Sequence, residues 1–80
     1  MRRDPRFAPE VDILVERYDV FQNMVLFTGA YRSAWSVFVG LELVYQVFDR
    51  EQAIQMARHQ AATVNRPAWL KEGDHLQPIL

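Results

Sequence analysis

The side chains of this sequence that could do chemistry are few and dispersed. Asp74 and His75 are neighbours, as an acid/base couple requires, but no third reactive group stands near them and Glu72-Gly73-Asp74 reads as a solvated turn. His59 falls in a predicted helix, where a second metal ligand would have to sit one turn away; those positions hold Gln55 and Thr63. The serines, Ser33 and Ser36, lack the flanking glycines of a nucleophile elbow, and no spacing to a histidine and a carboxylate suggests a triad. Gly29, Gly40 and Gly73 are isolated, so no phosphate-cradling loop is formed. Cysteine is absent, which removes thiol chemistry and thiolate metal sites. The sequence predicts no catalytic residues, no metal ligands, no cofactor and no enzymatic activity.

Charge excludes a general attraction to polyanions. Nine basic and ten acidic residues leave a formal net charge of -1. Nucleic-acid binding would have to be local. Its best candidates are Arg2, Arg3 and Arg6, which with Pro5 and Pro9 make residues 1–9 a flexible basic arm, and the group Tyr31, Arg32, Phe38 and Tyr45, which could stack on single-stranded bases. No stretch approaches the roughly 20 apolar residues of a membrane-spanning helix, and the start MRRDPRFAP has no apolar region behind its basic residues. A cytoplasmic, non-membrane protein is expected.

Positioning elements can be read from periodicity. Val11, Leu14, Val15, Tyr18 and Phe21 recur at helical spacing behind Pro9, with Glu10 and Asp12 suited to the positive end of a helix dipole, which predicts a helix over 10–21. Val11, Ile13 and Val15 also alternate as a β-branched strand would, so helix and strand both stand. Met24 to Thr28 reads as a first strand, Ala34 to Val39 as a second and Leu41 to Phe48 as a third, with a tight hairpin at Gly40. Leu41 is a poor residue for that turn.

Asp49 ends the third strand by capping a helix, with Gln52 placed for a capping box. Ala53, Ala57 and Ala61 then give the helix a smooth face that can lie close to a sheet bearing Trp35, Val37 and Phe48. The helix should stop near Asn65 because Pro67 disfavours helical geometry at Arg66. Two short strands around Gly73 follow, the last confined to an edge by Pro78. The expected fold is α+β: an N-terminal helix, a three-stranded antiparallel sheet, an Ala-faced helix and a C-terminal hairpin, forming a single domain over 10–80.

The stretch from Trp35 to Leu80, with WSVFV, VYQVFD, the helix EQAIQMARHQAATVN and a hairpin around Gly73, resembles small uncharacterised bacterial domains of β-β-α-β type. The resemblance implies that Trp35, Val37 and Phe48 are core, Asp49 a cap, and Ala53 and Ala57 a packing face; it implies no activity. A fainter likeness is to double-stranded-RNA-binding domains, which run α-β-β-β-α. Those place lysines at the start of the second helix, where this chain has Asp49, Arg50 and Glu51, and Gly29 to Ser33 would offer Arg32 alone to the minor groove.

Half of the chain is apolar, more than one helix can cover. At 80 residues the core is thin, and without disulfides such chains often depend on self-association. If Trp35, Val37 and Val39 face the Ala-rich helix, Phe38 faces away, and some of Leu43, Tyr45 and Val47 must join it. Phe38, Tyr45 and Val47 are therefore the candidate interface. The function predicted is a non-enzymatic protein-protein interaction or regulatory module, self-associating as a homodimer through an apolar sheet face or a strand edge.

Overall fold

Residues 13–22, within the segment whose spacing suited a helix, form a strand. The computed structural model describes residues 6–22 and 30–79, with side chains described for 6–20 and 32–79. Its elements are β1 (Ile13–Gln22), β2 (Ala30–Val39), β3 (Glu42–Val47), α1 (Arg50–Val64), β4 (Ala68–Glu72) and β5 (His75–Ile79). No helix precedes α1 among the described residues, and in place of the expected three-stranded antiparallel sheet there is a five-stranded mixed sheet ordered β3-β2-β1-β4-β5. The strand expected over Met24 to Thr28 lies outside the described residues.

The physical reason for the correction is the central position of β1. It pairs antiparallel with β2, Ile13 opposite Val39 and Gln22 opposite Ala30, and parallel with β4, Ile13 opposite Ala68 and Glu16 opposite Lys71. A strand flanked on both sides carries apolar residues on both faces. Ile13 and Val15 are buried on one face while Leu14, Tyr18 and Val20 are half-buried on the other. Combined, the two faces mimic the i, i+3, i+4 spacing of a helix, and the β-branched alternation identifies the true element.

Because β3 and β4 both run parallel to β1, the chain must cross the sheet between them, and α1 is that crossover. Asp49 starts it with extended backbone, and its carboxylate accepts the Glu51 amide at 3.1 Å. Asn65 ends it in the left-handed region at φ 57, with its own amide and that of Arg66 turned back on the Ala61 carbonyl. Ala53 and Ala57 are fully buried beside Ile13, Val15, Trp35, Val37, Ala68 and Leu70, so the helix lies close across the sheet as its alanines predicted. Burying each of Ile13, Val15 and Val37 contributes about 1.5–3 kcal/mol. Phe48, expected in this layer, is instead exposed beneath the Arg32 guanidinium.

Two-residue turns close both hairpins. Val39 pairs with Glu42 around Gly40-Leu41, and Glu72 with His75 around Gly73-Asp74, each glycine at φ 61. Gly40 meets a second demand. A Cβ there would stand 2.5 Å from the Glu10 carbonyl oxygen, because the segment before β1 passes directly over the turn.

Candidate interaction surface

The sheet's second face is where the chain keeps its polar linchpin. Asp12, fully buried just before β1, receives four hydrogen bonds on its carboxylate: the Ala8 amide at 2.9 Å, the Trp69 indole N–H at 3.0 Å, and Arg66 Nε and Nη2 at 3.0 and 2.7 Å. Its backbone is engaged too, the amide donating to Ala8 O and the carbonyl accepting from Gly40 N. A buried carboxylate survives desolvation only with such saturation. The result ties three distant pieces together: the segment 6–12, the hairpin turn at Gly40, and the junction between α1 and β4.

Held by Asp12, the segment 6–9 packs on the face away from α1. Phe7 meets the Trp69 ring edge-on at 5.7 Å between centroids, and the Arg6 guanidinium lies 5.7 Å from the same ring. Beyond this strap is a shallow, mainly apolar hollow of about 180 Å³, lined by Phe7, Pro9, Leu14, Phe38 and Leu41, with Glu16 at its rim. Lys71 holds the Glu16 carboxylate at 3.1 Å.

From the hollow the apolar surface continues to the β3 margin of the sheet. Leu41 is 78% exposed, Leu43 45%, Tyr45 39% and Phe48 47%, and they span β3 from the turn before it to the residue after it. Val11, also exposed, adjoins Gly40 at the same end. Val64 alone of the large exposed apolar side chains among the described residues lies elsewhere, at the end of α1. Isolated exposed leucines mean little, but a contiguous row does not arise from surface statistics. Charge brackets the row: Glu42 is exposed at one end, and at the other Arg32 stacks 4.1 Å over the Phe48 ring. Neither has an opposite charge beside it among the described residues.

The two sheet edges are not equivalent. On β5, Pro78 stands opposite Trp69 and removes a donor from the edge. On β3 the register shifts, Val37 opposite Tyr45 but Phe38 opposite Leu43, so Val44 is an extra, bulged residue. The bulge interrupts the backbone ladder while leaving the row of apolar side chains outside it.

The three predicted interface residues do not share one surface. Tyr45 belongs to the margin; Phe38 is half-buried on the face away from α1; Val47, opposite Trp35, packs into the helix-side core. The bulge accounts for this, since it changes which residues of β3 alternate with which face. The predicted nucleic-acid candidates are also dispersed: Arg6 is on Trp69 and Arg32 on Phe48, at opposite sides of the sheet, while Arg2, Arg3 and the side chain of Tyr31 lie outside the described residues.

Sequence reasoning missed Leu41, although a bulky apolar residue in a two-residue turn was a signal. It also missed Asp12, whose partners Arg66 and Trp69 are separated from it by most of the chain and left no local trace.

The reactive groups remain apart in space. Ser33 hydrogen-bonds Arg17 at 2.9 Å and Asp19 at 3.4 Å, a solvent-facing polar triplet without a general base. Ser36 is buried in β2 opposite Glu16 and Gln46. His75 contacts Gln77 at 3.2 Å, and His59 is exposed on α1. Among the described residues no group of three His, Cys, Asp or Glu side chains is gathered as a metal would need, and no helix is long and apolar enough to cross a membrane. No family model, curated protein or solved structure matches the chain.

Proposed function

We propose that this chain is a non-enzymatic interaction module that presents the β3 margin to another polypeptide. The observation that carries the reading is the gathering of Leu41, Leu43, Tyr45 and Phe48 along one side of an otherwise polar surface. An apolar row of this kind is stabilised by removal from water, at about 25 cal/mol per Å² of apolar area buried. Nothing in the disposition of Ser33, His59, Asp74 or His75 supports bond-making chemistry.

The test is site-specific photo-cross-linking in the expressing cell. Tyr45→p-benzoylphenylalanine is expected to give a discrete covalent adduct on irradiation, whereas the same group placed at the exposed helix position Gln55 gives none. No adduct from position 45, or the same adduct from both positions, overturns the reading. Salt-sensitive capture of a single-stranded oligonucleotide through position 45 would overturn it in favour of nucleic-acid recognition.

A further inference from the structure

Resting on that reading, we infer that the partner at the β3 margin is a second copy of this chain, docked antiparallel about a two-fold axis so that Glu42 of each copy meets Arg32 of the other. Four observations lead there. The apolar row is nearly uninterrupted between its two charges, so it can form the buried centre of a contact whose rim is polar. Glu42 and Arg32 carry opposite charge and stand at opposite ends of the row, about 20 Å apart at roughly 3.3 Å per residue from Glu42 to Phe48. Neither charge is matched within its own copy among the described residues. The net charge of -1 sets almost no self-repulsion against association.

Geometry then selects the orientation. Two copies side by side in parallel would oppose Glu42 to Glu42 and Arg32 to Arg32. Turned antiparallel, the same two rows bring both pairs into attraction at once, and a two-fold interface makes each contact twice. The row is self-complementary only in that sense. The Val44 bulge assigns the contact to side chains instead of a continuous backbone ladder. Leu43 and Tyr45, near the middle of the row, form its centre.

Sedimentation equilibrium of the full chain over a concentration series tests this, with thermal unfolding followed by circular dichroism to show that each variant is folded. The wild type is expected to reach twice the 9.4 kDa chain mass. Leu43→Lys/Tyr45→Lys is expected to be monomeric with an unchanged fold. Glu42→Lys and Arg32→Glu each convert two attractions into two repulsions, and each should weaken the dimer about tenfold or more. The double variant Glu42→Lys/Arg32→Glu restores both pairs with signs exchanged and should recover most of the affinity. Addition of 0.5 M salt should narrow the differences among the four charge states. A wild type that stays monomeric overturns the inference and leaves the margin to a different protein, which the photo-adduct would reveal by its mass. A dimer lost in Leu43→Lys/Tyr45→Lys but indifferent to the charge exchanges overturns the antiparallel arrangement alone. A dimer unaffected by Leu43→Lys/Tyr45→Lys overturns both the inference and the reading beneath it.

Discussion

Asp12 shows how much a single buried side chain can organise in a chain of this size. Its carboxylate satisfies a backbone amide, an indole and a guanidinium, and removing it leaves the Trp69 N–H buried without an acceptor. Arg66 is 42% exposed and can regain water, which moderates the loss. Asp12→Ala is therefore expected to destabilise the fold by about 2–4 kcal/mol, read as a lower urea midpoint with an unchanged m-value. The two turn glycines give a paired prediction. At Gly73 an added methyl group meets nothing within 4 Å, so Gly73→Ala costs only the left-handed backbone penalty, about 1–2 kcal/mol. At Gly40 the same penalty is joined by a collision with the Glu10 carbonyl, and Gly40→Ala should cost at least about 1 kcal/mol more than Gly73→Ala in the same assay. Equal losses at the two sites would mean that the segment before β1 does not hold its position over the turn.

At the scale of elements, the helix and the ribbon differ in how they are supported. Ala53 and Ala57 have no space above them, so Ala57→Leu is expected to force α1 off the sheet at a cost of about 1–3 kcal/mol, measured by thermal unfolding. By contrast, β1 beyond Glu16 has no β4 partner, and β2 before Trp35 has no β3 partner. Residues 17–22 and 30–34 thus form a two-stranded ribbon running past the five-stranded body. Their amides should exchange with deuterium faster than those of 13–16 and 35–39, whose strands are flanked on both sides. Uniform protection along β1 would contradict this.

Element by element, the sequence was informative wherever the deciding forces were local. Asp49, Asn65 with Pro67, and the glycines at 40 and 73 act through neighbouring backbone, and the helix and both hairpins were legible from them. The smooth alanine face was legible too, because its period is a property of one helix. Segment 10–21 was not, because its choice between helix and strand depends on β4, more than fifty residues later, lying beside it. The candidate surface was legible in part. Tyr45 was identified, yet Val47 and Phe38 were assigned together because alternation assumes an unbroken strand, and the Val44 bulge is a tertiary adjustment with no sequence marker.

For the whole molecule, connectivity matters more than composition. The strand nearest the start of the described chain sits in the middle of the sheet, and one of its two neighbours comes from near the end. Removing everything after Asn65 would strip β1 of β4, Asp12 of Arg66 and Trp69, and the core of Ala68 and Leu70. A chain ending at residue 65 is expected to lack a cooperative unfolding transition; a sigmoidal melt from it would show that the three-stranded half is autonomous.

The central placement of β1 also bears on biosynthesis. A nascent polypeptide can form the β2–β3 hairpin and the helix soon after they leave the ribosome, but the groove between β1 and its parallel neighbour stays open until residues 66–79 have emerged. Through that interval Ile13, Val15 and the indole-seeking carboxylate of Asp12 face the cytosolic milieu uncovered, so translation speed over the final hairpin sets how long a holdase has to find them.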